Sequence, residues 1–257
     1  MSNPNDELLT FGGHLEVFRR MLFRVLAVVA IIAIAVFYFK DETFSFLLAP
    51  SEWDFVTYRW IENVIQTMGY DFHFTEYHVN LIATDLSSQF MTHITTAVYL
   101  GLLGASPYIV YELFRFISPA LYDNERRYSL LVALIIYSLF LVGVLINYFI
   151  LFPISFRFLG TYSVSARVVS NITLNSYIST FVSLTLAMGL IFQLPVIAYF
   201  LGRMGFITSE MLAQYRRHAF VVILLLSAII TPPDVMTLIL VAIPLYLLYE
   251  VSIRVIK

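Results

Sequence analysis

Cysteine is absent from the chain, which excludes a disulfide framework, thiolate catalysis and any metal site built on sulfur. Charge is scarce. Only 12% of the 257 residues are Asp, Glu, Lys or Arg, against about 25% in a soluble domain. With 60% hydrophobic residues, the chain cannot cover its surface with groups that water solvates, so lipid must be the solvent for most of it. A net charge of −2 lacks the basic excess of a nucleic-acid binder, and no nucleic acid is expected as a partner. The opening stretch "MSNPNDELLTFGGH" has no basic n-region, so the first apolar run reads as a retained span rather than a cleaved signal. Enzyme signatures are missing as well: no H-E-x-x-H, no glycine-rich phosphate loop, and "GASPY" at 104–108 lacks the last glycine of a nucleophile elbow. His73, Glu76 and His78 cluster in one polar stretch, which reads as a solvated loop. No metal and no other cofactor is expected.

What the chain has instead is long apolar runs. A bilayer core of roughly 30 Å needs about 20 apolar residues in helix. Six candidate spans follow, at about 22–39, 90–116, 130–152, 177–201, 219–230 and 235–249, all in a single polytopic domain, residues 1–257. The apolar cores of the last two are short, about 18 and 22 Å. They are joined by "TPPD" at 231–234, where proline ends one helix and Asp234 caps the next. Lys and Arg set the orientation. With both termini in the cytoplasm, eleven fall inside and four outside. A long outer loop at about 40–88 holds Trp53 and Trp60, and part of it is expected to be a helix at headgroup level. The even-numbered spans carry Pro107, Pro195 and Pro244. Each leaves the carbonyl four residues back without its helical donor, so a bend is expected at each. Bent helices side by side would form a concave wall, although membrane helices also tolerate proline with no function attached.

The span centres lack Asp, Glu, Lys, Arg and His, which counts against a small-solute secondary transporter with a site between Pro-bent helices. Gln193 is the strongly polar mid-span residue, and it either pairs within the chain or meets a partner's span. Charges collect at the cytoplasmic side. "GGHLEVFRRMLFR" reads as a helix entering the membrane, with Glu16 and Arg20 four apart. Arg24, Glu112 and Glu250 lie near helix ends. "SPALYDNERRYS" at 118–129 gathers Asp123, Glu125, Arg126 and Arg127. Such a loop serves as a positive-inside anchor with local ion pairs, or as a docking surface for a basic peptide, since carboxylates near hydrocarbon pair strongly with guanidinium.

Several stretches, in order, resemble the TatC family, the polytopic subunit of the twin-arginine protein translocase. They are "HLEVFRRM" at 14–21, "SPALYDNERR" at 118–127, "FPISFRFL" at 152–159, "FQLPV" at 192–196, "TPPDV" at 231–235 and "AIPLYLLYE" at 242–250. The resemblance implies an all-α integral membrane protein of six transmembrane helices in a cupped arrangement. It implies a non-enzymatic receptor core in a bacterial inner membrane, which recognises Arg-Arg signal peptides of folded precursors. The expected partners are TatA- and TatB-like single-span subunits, further copies of the chain and the bilayer, with the proton-motive force as driving force. Carried over by position, Glu125 matches a loop carboxylate that holds the signal's arginines, Arg19 a signature arginine, and Arg126 and Arg127 the basic pair after the loop carboxylate. Phe116 matches an aromatic before the loop, while Pro50 and Asp234 match structural positions. Two departures stand out. Val17 occupies the signature's Glu position, leaving the second arginine to Glu16, to Glu112 or to neither, and Gln193 replaces a frequent Glu.

Overall fold

In hydrocarbon, a backbone must satisfy its own hydrogen bonds, and this apolar chain does so almost entirely with helices. The computed structural model describes residues 11–77, 79–117, 129–163, 165 and 171–256. Twelve α-helices are formed among them: α1 Phe11–Tyr38, α2 Lys40–Leu48, α3 Val56–Thr67, α4 Ser88–Gly104, α5 Ser106–Ile117, α6 Ser129–Ile146, α7 Phe152–Thr161, α8 Leu174–Ile191, α9 Leu194–Arg203, α10 Ser209–Gln214, α11 Arg216–Ile230 and α12 Val235–Val255. Four continuous segments are long and apolar enough to cross a membrane: Leu15–Tyr38, Leu131–Thr161, Leu174–Arg203 and Val235–Val255. The pair α4–α5 makes a fifth if its two halves, bent by 50°, are one span. Helix α11, with 15 residues, reaches about 22 Å.

Two compact units emerge, Met1–Lys40 with His93–Tyr137, and Asp41–Thr92 with Ser138–Lys257. In the first, α1 runs antiparallel to α4–α5. Phe37 stacks on His93 with centroids 4.1 Å apart at one end, and Phe18 meets Phe116 at 5.8 Å at the other. Between them the backbones nearly touch. A Cβ on Gly101 would lie 2.8 Å from the Ala33 Cβ and 2.9 Å from the Val29 carbonyl oxygen, so only glycine permits this approach. The α4–α5 bend falls at Ala105, just before Pro107.

In the second unit, the segment after α1 is not a solvated loop. Helices α2 and α3 are joined by a 3₁₀ turn, Ala49–Ser51, that buries Pro50. They are pinned to the α6–α7 helix, which continues to Thr161, well past the apolar run that marks it in the sequence. The join is a π-helical turn, Asn147–Leu151, followed by Pro153. Pro153 has no N–H to give the Phe149 carbonyl, and the Thr57 hydroxyl donates to it instead. Tyr58 donates to the Pro153 carbonyl at 2.7 Å, Tyr148 to that of Phe46 at 2.8 Å and Tyr177 to that of Leu47 at 2.7 Å. Leu47, Tyr58 and Tyr177 are at most 2% exposed, so these bonds form away from solvent. Arg157 sits over the rings of Tyr58, Phe74 and Tyr77 at 4.4–5.0 Å and donates to the Thr75 carbonyl at 2.7 Å. Strands β1 (Leu81–Ile82) and β2 (Ile172–Thr173) pair in parallel and tie the two long connections together. Trp60, on α3, stays exposed.

Helices α6 and α8 make a second close approach. A Cβ on Gly143 would lie 2.6 Å from the Met188 carbonyl oxygen, and one on Gly189 would lie 2.5 Å from the Phe140 ring. Fully buried Asn147 donates to the Thr185 hydroxyl at 2.8 Å in this contact, and Thr185 donates to the Phe181 carbonyl. The prolines act unequally. Pro107 accompanies a sharp bend, Pro195 follows a break between α8 and α9, and Pro244 lies inside α12, which runs on without a break. α12 also extends beyond its apolar run, to 21 residues, because Tyr249 and Glu250 find partners outside it.

Candidate functional site

Among the described residues, Glu112 is the carboxylate that the first unit holds away from solvent, with 3% of its side chain exposed. It faces α1 from the last turns of α5. Its Oε2 accepts from Arg24 Nη2 at 2.7 Å, and its Oε1 accepts from the Tyr108 hydroxyl at 3.0 Å. Arg24 is half-exposed, so its guanidinium bridges the buried oxygen and the surface. A charge-assisted hydrogen bond of this kind is short and strong because little water competes. The phenol of Tyr108 offers a second donor to the same carboxylate.

The other expected site residues of this unit surround it on the same two helices. Glu16 and Arg20 pair with one another on exposed α1, an arrangement in the class worth about 0–1 kcal/mol. Arg19 and Val17 are exposed, and among the described residues Arg19 makes no ion pair. Phe116 is half-buried against Phe18. Glu125, Arg126 and Arg127 lie outside the described residues, and so does His78 of the His73 cluster. Among the described residues no three His, Asp or Glu side chains converge as metal ligands.

In the second unit, Gln193 donates its side-chain amide to the Gly189 carbonyl at 3.4 Å. Its backbone N–H has turned to Leu190 at 3.0 Å, which frees the Gly189 carbonyl at the helix break. Asp234 accepts from the Thr237 backbone N–H at 2.6 Å and caps α12. A second carboxylate clamp sits near the end of that helix. Arg216 grips Glu250 with two nitrogens, at 2.7 and 3.2 Å, while Tyr246 donates at 3.3 Å. Tyr249 donates to the Leu212 carbonyl at 2.7 Å and holds α10 against α12.

Sequence reasoning placed Glu112 and Glu250 near helix ends but missed their partners. A signal was present: Y-x-x-Y-E occurs twice, at 108–112 and 246–250, each shortly after a proline. In both, the first tyrosine stands four residues ahead of the glutamate and donates to it. The helical partner that supplies the arginine cannot be read from that spacing.

These features define a multi-pass, all-α membrane protein in which Glu112 and Glu250, near helix ends, each pair with an arginine of the same chain. The chain belongs to the TatC family: the model for the Sec-independent protein translocase protein (TatC) matches residues 13–244. It is 34% identical over 257 residues to the Sec-independent protein translocase protein TatC of Blattabacterium sp. subsp. Periplaneta americana (strain BPLAN), covering 98% of this chain and 96% of that one. Identity to the TatC of Helicobacter pylori (strain 26695) is 42% over 151 residues, 59% of each chain. A crystal structure of the twin-arginine translocase receptor TatC superposes with a TM-score of 0.72 at 33% identity, covering 95% of this chain and 98% of that one. A second, in DDM, gives 0.73.

Proposed function

We propose that this chain is the receptor core of a twin-arginine translocase in a bacterial inner membrane, with both termini cytoplasmic. In this reading six helices span or enter the bilayer, with α11 as the short fifth. The cytoplasmic segment after α5 presents Glu125 to the guanidinium groups of an Arg-Arg signal peptide, with Arg126 and Arg127 holding that carboxylate in position. Phe116 and Phe18 form the apolar wall beside it. Glu112, rather than Glu16, is the better candidate for the second arginine, because its oxygens are shielded, and a signal guanidinium would take the place that Arg24 holds there. TatA- and TatB-like single-span subunits and further copies of the chain complete the complex, and the proton-motive force drives transport of folded cargo. A small-solute transporter is the weaker reading, given the family.

The observation that carries the proposal is the Arg24–Glu112–Tyr108 arrangement. It demonstrates a desolvated carboxylate stabilising a guanidinium on the helix that leads into residues 118–128. The test places a photo-crosslinker at Phe116 and offers signal peptides bearing Arg-Arg or Lys-Lys. Lysine keeps the charge and loses the planar fork. Adducts should form with Arg-Arg and fall strongly with Lys-Lys. Equal adducts with both peptides would remove the case for guanidinium recognition.

A further inference from the structure

A cavity of about 390 Å³ lies wholly inside the second unit, unused by the reading above. Its walls include one stripe of α7 (Phe152, Ser155, Phe156, Leu159), one stripe of α8 (Ser176, Thr180, Leu184) with Tyr177 beside it, Asn171 and Ile172 at β2, and Pro232 at the α11–α12 turn. The spacings of three and four residues put each set on one helix face. The two helices run in opposite directions, so the lining is graded. Exposed Asn171 and Ser176 stand at one end, Thr180 and Ser155 in the middle, and buried Phe152 and Leu184 at the other. Ser176 to Leu184 spans about 12 Å of helix rise.

Two observations define what would fit. First, among the described residues no carboxylate, guanidinium or ammonium lines the cavity. The nearby Arg157 lies over aromatic rings and donates through Nη2 to the Thr75 carbonyl, and it is not among the lining residues. A charged ligand group would be buried without a counter-charge, which is strongly unfavourable. Second, Ser155 is 3% exposed, and its Oγ has no hydrogen-bond partner. A buried hydroxyl left unserved is costly, and it both donates and accepts. The volume falls within the usual range of small-molecule sites.

We infer that this cavity binds a neutral single-chain amphiphile, an acyl ester with an uncharged hydroxylated head, such as a monoacylglycerol. Asn171 and Ser176 meet the head hydroxyls. Ser155 donates to the ester carbonyl. The chain runs between Phe152, Phe156 and Leu184. A short extended peptide satisfies the same donors less well, because the gradient from polar to apolar suits one head and one tail.

The test uses the full chain reconstituted in phosphatidylcholine vesicles with two photoreactive probes of equal chain length. One is a diazirine-bearing monoacylglycerol and the other its alkyl sulfate counterpart. After irradiation, adducts are mapped by peptide mass spectrometry. The neutral probe should label residues 152–159 and 174–184 above the other apolar helices, and the sulfate should not. Ser155→Ala removes one oxygen without a bonded partner, so the fold should tolerate it. It should reduce neutral labelling at low probe concentration about five-fold. Thr180→Phe, which fills the space, should abolish labelling. Uniform labelling of all apolar helices, equal labelling by the sulfate, or full labelling of Ser155→Ala would overturn the inference. So would a short neutral peptide that competes the probe away at lower concentration than unlabelled monoacylglycerol.

Discussion

Replacing Tyr177 by phenylalanine removes one oxygen and leaves the ring, so it isolates the bond to the Leu47 carbonyl. That bond is 2.7 Å long, and its two residues are 2% and 1% exposed. Without it, the carbonyl stays buried and unserved, a loss of about 1–3 kcal/mol. The cost should fall on the docking of α2 and α3 rather than on the whole chain, because it is the bond between Leu47 and α8 that is lost. Hydrogen exchange in nanodiscs reads this directly. Amides of Lys40–Thr67 that exchange by opening of this segment should speed up about 5- to 100-fold. Amides of α11 and α12 should not change. Tyr148→Phe should act in the same direction, with less effect, since Tyr148 is more exposed, at 6%. The double variant should be non-additive, because both rings contact Phe181 or its neighbour Phe152. Unchanged exchange at Lys40–Thr67 in Tyr177→Phe would refute the idea that phenol-to-carbonyl bonds hold this segment down.

Other consequences are open to simpler assays. Gly143→Ala would put a Cβ 2.6 Å from the Met188 carbonyl oxygen, forcing α6 from α8, so thermal unfolding in detergent should report a loss of about 1–3 kcal/mol. Asp234→Ala removes the cap of α12 and should cost about 0.5–2 kcal/mol, seen as faster exchange at Val235–Leu238. Burial, with the bond between the two hydroxyls second for Tyr58, pushes Tyr58 and Tyr77 above the ordinary tyrosine value. Their folded pKa values exceed the unfolded ones, so the stabilisation is complete below about pH 10 and declines above it, by about 1.4 kcal/mol per pH unit for each tyrosine. The chain has 17 tyrosines, so these two are isolated as the 295 nm difference between the native chain and the Tyr58→Phe/Tyr77→Phe double variant, which should stay flat near pH 10 and rise only with opening of this segment at higher pH. A difference signal that titrates smoothly near pH 10 would contradict their burial.

The sequence made the apolar helices legible because hydrocarbon imposes length and composition on every span. The cap at Asp234 and the break near Pro107 were legible because each is a local effect of one side chain on its own helix. The pinned segment was not. Its donors are phenols of Tyr148 and Tyr177, and its acceptors are the carbonyls of Phe46 and Leu47, 102 and 130 residues away. No residue type marks such an acceptor. The continuation of α7 to Thr161 was hidden for a related reason: Arg157 reads as a loop charge until Tyr58, Phe74 and Tyr77 surround it. Of the candidate site, the carboxylates were visible, but Arg24 and Glu112 stand 88 residues apart, and only the packing of α1 on α5 joins them. The Gln193 amide reaches back to the Gly189 carbonyl for a local reason, since the turn before Pro195 takes the Gln193 backbone N–H to Leu190 instead.

The central claim is that a carboxylate beside hydrocarbon selects guanidinium in an incoming signal, and Glu125 is the residue assigned to it. Binding of fluorescent Arg-Arg and Lys-Lys signal peptides to the full chain in nanodiscs measures this without transport. The native chain should prefer Arg-Arg by about 30-fold or more, the equivalent of about 2 kcal/mol for a desolvated pair. In Glu125→Gln that preference should fall to within about three-fold, with the Lys-Lys affinity little changed. A Glu125→Gln chain that still prefers Arg-Arg by the native factor would contradict the account.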